Sequence, residues 1–440
     1  MRRVVRVASA AALVAVLSCQ DQVFEPVKNG LVASADLEGD VRVTTKADLL
    51  FVIDDSASMA GEQDKLAQGF PALLQKLDQL DPPVDYRLAV LTTSVDERFG
   101  PCDPTDPQAP DICSAEFGGT GFACEAGACV KRFPDRAGHL FAAPGNPAVL
   151  DSADYSPPEL ATLFAQNVHV GLEGSSQEQP LRAFETALDS GGLAGFLRDD
   201  ARLVLFIASD EDDCSDSTGK FLAYTDQNGT FTDQCAEASA RGTGQLDSVS
   251  AFEQRLRSLE AGGKAREVAA GAVVGLDPAT QQPATCTDPA CAQRCQGAAT
   301  AAACQQQCQG ALRPTLCESD CVDQCVAFCG SHVPGRRIAR LVRDLGGPVS
   351  SICEPDFGPA LARLARVIGI PTSLDLPSVP GDDRAFFFTV TRAGRTLDCA
   401  MGRDFTLDRT SDPPEMTIEK SGACRLMPGD HWSIRYLAAP

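Results

Sequence analysis

Uninterrupted apolar runs alternate with stretches of helical spacing through the middle of the chain. Leu49-Leu50-Phe51-Val52-Ile53 has no polar break and ends in Asp54. A run that is apolar on both faces predicts a central parallel strand, buried on two sides. Leu66, Phe70, Leu73, Leu74 and Leu77 then recur as one helix face does. Tyr86 to Leu91 and Leu203 to Ile207 repeat the strand signature, and the second run leads into Ser209-Asp210. Val268 to Val274 and Val349 to Ile352 add two more strands. Helical spacing returns in Leu181, Phe184, Ala187 and Leu188, in Phe252, Leu256 and Leu259, in Ile338, Leu341 and Leu345, and in Leu361, Leu364 and Ile368. This alternation predicts an α/β class over residues 46–370, a doubly wound, mostly parallel sheet with helices on both faces. Two insertions interrupt it, a loop-rich stretch at 97–165 and a cysteine-rich one at 281–330. Pro371, Pro377 and Pro380 mark a linker. Beyond it, Phe386 to Thr391, Met416 to Ile418 and Trp432 to Tyr436 alternate as strands do, around a turn at Ala393-Gly394. Residues 371–440 therefore predict a small β module.

The N-terminus carries a different pattern. Arg2, Arg3 and Arg6 precede a short apolar run from Val7 to Leu17. That run is too short for a membrane-spanning helix, which needs about 20 apolar residues. It fits the core of a signal peptide over residues 1–18. Val16-Leu17-Ser18-Cys19 resembles the lipobox of bacterial lipoproteins, which implies acylation of Cys19 and a membrane tether. Residues 19–45 show no clear period and read as a polar tether. Gln20 after the cysteine favours the outer membrane, on the periplasmic or the surface face, by the same resemblance.

Charge and cysteine content fit an exported chain. The formal net charge is −22, which argues against nucleic acid, whose recognition needs a basic face. There are 19 cysteines; without Cys19, 18 remain, an even number. In an exported protein that density predicts disulfides. Cys102, Cys113, Cys124 and Cys129 fall in the first insertion. Cys214 with Cys235 and Cys399 with Cys424 are expected pairs. Nine cysteines lie at 286–329, and Cys353 is the natural partner for the odd one. Helical spacing allows Cys291 to meet Cys308 and Cys295 to meet Cys304, while zinc-thiolate coordination is the alternative reading.

The candidate chemistry sits just past the first apolar run, in Asp54-Asp55-Ser56-Ala57-Ser58. Asp-x-Ser-x-Ser at this place resembles the metal-ion-dependent adhesion site of von Willebrand factor A and integrin inserted domains. The resemblance implies that Ser56 and Ser58 bind a divalent ion directly and Asp54 mostly through water. It also implies a third hydroxyl from Ser175, standing where the family has Thr, and a second carboxylate from Asp210. It covers about residues 46–370, with large insertions. The stretch Ser209 to Ser215 is similar to that of Cys-rich exported proteins of myxobacteria and related bacteria. Two plainer readings compete. A Ser/Asp turn caps a helix without metal, and Ser175 with Glu178 fits a capping box.

Magnesium wants six hard oxygen ligands and sheds water reluctantly. Neutral hydroxyls leave such an ion under-neutralised, with a position able to accept a carboxylate from a partner. The expected cofactor is Mg2+, or Mn2+ or Ca2+, and the expected partner a protein or peptide offering Asp or Glu. Asp212 and Asp213, with Asp216, form either a second cation site or a solvated acidic loop. Both insertions should rise on the metal's face, to shape a partner surface or to staple long loops.

No His-Glu-x-x-His, nucleophile elbow or Walker loop is present, and the four histidines are scattered. The expectation is a non-enzymatic, lipid-anchored binding protein of the cell envelope. The alternative is a structural or assembly scaffold whose metal only steadies loops. The sequence leaves the oligomeric state open.

Overall fold

The computed structural model describes residues 34–41, 45–80, 83–117, 120–219, 221, 224–226, 231–233, 235, 238–239, 246–276, 334–370, 373–411, 414–427 and 429–439. The signal peptide, Cys19 and the 281–330 insertion lie outside them.

The apolar runs pair in one six-stranded sheet. Its order is Val349–Ser351, Val268–Val274, Arg202–Ser209, Lys46–Ile53, Asp85–Thr92, Val149–Asp151. The first five are parallel, and Val149–Asp151 closes the edge antiparallel to Asp85–Thr92. Successive side chains of a strand point to opposite faces. Leu49, Phe51 and Ile53 therefore meet the helices Ala60–Leu77, Pro157–Asn167 and Gly358–Leu364, where Phe51, Phe70, Phe164 and Phe206 cluster. Leu50 and Val52 meet Pro180–Asp189, Val249–Arg257 and Arg336–Asp344 on the other face. Ser156 and Glu159 form a true capping box at the start of Pro157–Asn167.

This sheet is one of five among the described residues, and that corrects the expected fold class. A doubly wound, mostly parallel α/β sheet does not describe the chain. Of the other four sheets, three are wholly antiparallel. The fourth has a single parallel bridge, Phe99 to Tyr224. The architecture is a β-rich mixture of one mixed sheet and several small antiparallel ones. The physical reason lies in the connections. Parallel neighbours need a crossover of a dozen residues or more, whereas short strands joined by tight turns can only fold back. Ala126-Gly127 and Ala393-Gly394 make such turns, both residues of each pair having positive φ.

The first insertion is more ordered than its loop-rich sequence predicts. Asp96–Pro101 pairs with Ala128–Arg132, which pairs with Phe122–Glu125. Cys113–Cys129 pins this sheet to the helix Ala109–Phe117, and Cys102–Cys124 ties the end of Asp96–Pro101 to Phe122–Glu125. The insertion also supplies the edge strand Val149–Asp151 and the helix Pro157–Asn167.

The expected tether is corrected in part. Ser34–Asp40 is the edge strand of a sheet ordered Ser34–Asp40, His431–Leu437, Phe387–Arg392, Arg395–Cys399. Gly39 fits there because the Trp432 ring lies where a Cβ would stand. A three-stranded sheet, Ser373–Asp375, Glu415–Ile418, Phe405–Asp408, completes the C-terminal module. Phe386, Phe388, Phe405 and Tyr436 fill its core, and Cys399–Cys424 crosslinks it. Cys214–Cys235 is also formed, and Cys353 is disulfide-bonded. No helix among the described residues is long and apolar enough to cross a membrane.

Candidate metal centre

Lys46–Ile53 and Arg202–Ser209 are parallel neighbours, so Asp54 and Asp210 leave the sheet side by side at its carboxyl edge. Ligand sites of open parallel sheets gather at that edge. The amide of Asp54 still bonds Ala208 O at 2.9 Å, which carries the ladder one step into the loop. Asp54 Oδ1 then accepts from the Ser56 amide at 2.8 Å, and Ser209 Oγ donates to its Oδ2 at 2.6 Å. Ser56 Oγ lies 2.9 Å from Ser58 Oγ, and Ser58 Oγ donates to Asp210 Oδ1 at 3.1 Å. Four of the five expected ligands are thus contiguous. Ser58 faces solvent while Asp54, Ser56 and Asp210 are buried.

Ser175 does not join them. Its hydroxyl turns back into its own loop, 3.0 Å from both the Gln177 carbonyl and amide and 3.3 Å from Asp96 O. Its amide bonds Ser94 Oγ at 2.7 Å. The loop itself is held to the first one. Gly174 N bonds Asp55 O at 2.8 Å, and a Cβ at Gly174 would strike the Asp55 carboxylate. The expectation of Ser175 as a direct ligand is corrected on this ground: Ser for Thr leaves a freely rotating hydroxyl that prefers the local backbone.

The same loop brings in Glu178 instead. Glu178 is 1% exposed, and no hydrogen-bond donor reaches either carboxylate oxygen. Burial pushes its carboxyl well above the ordinary range, and the nearby Glu211, Asp54 and Asp210 push it further. No basic side chain is among these strongest influences. Burial likewise raises Asp54, Asp210 adds to it, and Ser209 and Ser56 oppose it. The capping-box reading of Ser175 and Glu178 fails, because the helix begins at Pro180 with Gln179 as its cap. Sequence reasoning missed Glu178 and Glu211 as members of this cluster. The available signal was Pro180, which places the helix start after Glu178.

A divalent cation fits this donor set: hydroxyls beside carboxylates, with one buried carboxylate lacking any donor. Among the described residues, no three carboxylates bring one oxygen each within 4.8 Å of one another. The one trio of potential ligands that does so, Cys102, Cys113 and Cys129, is held in disulfides. In this conformation one ion would be held directly by at most two of the carboxylates at a time.

Asp55, between the motif residues, serves another purpose. It is buried, accepts from Ser94 Oγ at 2.8 Å and pairs with Arg136 of the first insertion. Burial raises its carboxyl, and Ser94 and Arg136 counter that. The insertion thus reaches the sheet edge that carries Asp54 and Asp210.

The second cation site gives way to a structural clamp. Asp212 Oδ1 accepts from the amide of Arg337 at 2.9 Å, opening the helix Arg336–Asp344, and Oδ2 accepts from Ser239. Asp213 pairs with Arg337 at 2.8 Å and accepts from Ser215 Oγ. Asp216 accepts from Thr218 and from the Phe221 amide. Protein donors already occupy both oxygens of Asp212 and Asp213, so neither is poised for an ion.

No protein-family model matches the chain, and no curated protein sequence matches it. Solved structures give distant likenesses. The pilus adhesin RrgA from Streptococcus pneumoniae is 9% identical, with a TM-score of 0.27 over 92% of this chain and 58% of that one. The adhesive tip pilin GBS104 from Group B Streptococcus agalactiae is 8% identical, with a TM-score of 0.28 over 92% and 81%. The human COPII-coat protein Sec24c is 10% identical, with a TM-score of 0.32 over 91% and 41%. The chain spans little more than half of the adhesin it matches first, and superpositions this loose place neither its fold nor its activity.

Proposed function

We propose that this chain binds a divalent cation, Mg2+ in the first place, and uses it to hold a partner at the cell envelope. The observation that carries the reading is the buried, donor-less carboxylate of Glu178 near Asp54, Asp210 and Glu211, where Asp210 is bonded to the hydroxyl pair Ser56 and Ser58 through Ser58. Like charges packed in a dry pocket cost several kcal/mol each unless an opposite charge joins them. A bound cation supplies that charge. The hydroxyl side of the cluster opens to solvent at Ser58, where a partner oxygen can enter the coordination shell. The partner is a protein or peptide presenting one Asp or Glu. Screening beyond ~8 Å at physiological salt limits the repulsion from the rest of this acidic chain. An acyl anchor at Cys19 would hold the protein at the membrane, the outer one by the residue that follows.

The test is capture from envelope extracts with magnesium or with chelator. Magnesium-dependent capture that Asp210→Ala abolishes, with the fold retained, supports the reading. Burial of Asp54, Glu178 and Asp210 favours a second reading, in which the ion only steadies the loops of a structural lipoprotein. There, Asp210→Ala lowers the melting temperature and leaves every partner in place.

A further inference from the structure

We infer that Glu178 is a positioning residue of the cation centre, accepting hydrogen bonds from water molecules that the ion holds, with Glu211 on the same water layer. The inference rests on the cation reading above and adds residues to it.

No N–H or hydroxyl donor reaches either oxygen of Glu178, although the large majority of buried side-chain polar atoms find a partner, and the neighbour within its hydrogen-bond reach is another carboxyl, that of Glu211. It does not cap a helix, since Gln179 takes the cap position. It does not pair with Arg182, the nearest arginine in sequence, which binds Asp96 at 3.0 Å and Gln179 at 2.9 Å. It does not hold the Cys214 loop through its side chain, because that loop's amide bonds the Glu178 backbone oxygen at 2.8 Å. Its carboxyl instead feels the charges of Glu211, Asp54 and Asp210.

Direct ligation by all of these carboxylates is excluded by their separation. Magnesium keeps several of its waters and takes one or two carboxylates directly. Those waters are polarised donors, and they are what the two orphaned oxygens of Glu178 require. Asp210, already hydrogen-bonded to Ser58, is the better placed direct ligand. Outer-shell partners of this kind orient a metal's ligands and are typically worth 10- to 100-fold in metal affinity.

The experiment is calorimetric titration of the metal-stripped full chain with Mg2+ and with Mn2+, alongside thermal melts in chelator and in magnesium. Glu178→Gln is expected to weaken both ions by about 10- to 100-fold. In chelator the same variant melts no lower than the native chain, because the buried carboxyl it replaces has no N–H or hydroxyl donor to lose; in magnesium it melts lower. A purely structural role would lower both melts together. Glu178→Asp keeps the charge but withdraws it by one methylene, and it is expected to weaken the ions as well. Should Glu178→Gln fail to fold, this second variant decides. Native affinity in the variants overturns the inference while leaving the cation reading intact. A native chain that binds neither ion overturns both.

Discussion

Ser58 donates a hydrogen bond to Asp210 at 3.1 Å across 152 residues of chain. The two stand together because the strands that precede them are parallel neighbours in register, Ile53 opposite Ala208. The hydroxyl belongs to the turn Ala57–Met59, and the carboxylate follows directly on its strand. Sheet register, not loop chance, joins the two halves of the centre.

Arg136 secures the first half from the insertion. Asp55 is fully buried, and among the described residues Arg136, 24% exposed, is the cation in contact with it. Arg136→Ala should cost about 3 kcal/mol, the low end for stranding a buried charge, since Arg136 itself is partly exposed. Asp55→Asn added to that variant should recover much of the loss. Urea unfolding of the two variants checks this, and additive losses would contradict it.

Cys214–Cys235 pins the loop whose amide holds Glu178 O. Replacing both cysteines by Ser should lower stability by about 2–4 kcal/mol and weaken magnesium binding as well. Unfolding midpoints and calorimetry on one preparation read both effects. Unchanged affinity in a destabilised variant would uncouple the loop from the centre.

Trp432 is the chain's one tryptophan, and its ring covers Gly39. Deleting residues 34–40 should expose the ring and shift its emission to the red. An unshifted spectrum would mean that the strand does not dock there.

Asp404 lies buried in the C-terminal module. The Arg403 side chain and then the Ala400 and Ala423 amides hold its carboxyl below the usual range. A depressed carboxyl stabilises the fold above its unfolded value near ~3.9. That contribution is lost as pH falls through the folded value. Melts from pH 6 to pH 2 should therefore steepen in the native chain relative to Asp404→Asn. Parallel curves would remove Asp404 from the acid response.

Much of the body was legible because its strands are buried on both faces, so Leu49 to Ile53 and Leu203 to Ile207 carry no polar break. Asp54, Ser56, Ser58 and Asp210 were legible because they follow those strands at once. Glu178 was not, since Ser-x-x-Glu has one spelling for two structures. Ser156 to Glu159 builds the capping box, whereas Ser175 to Glu178 does not. The overall class misled because the apolar runs outweigh the short hairpins of the insertion and tail. The strand Ser34–Asp40 was hidden because its partner lies at the far end of the chain, and no local pattern reports a pairing that distant.

Anomalous diffraction from a crystal soaked in manganese tests the central claim most directly. A single manganese peak between the hydroxyls of Ser56 and Ser58 and the carboxylate of Asp210, with water between the ion and Glu178, is the predicted result. A map without density there, or with its peak beside Asp212 and Asp213, would contradict it.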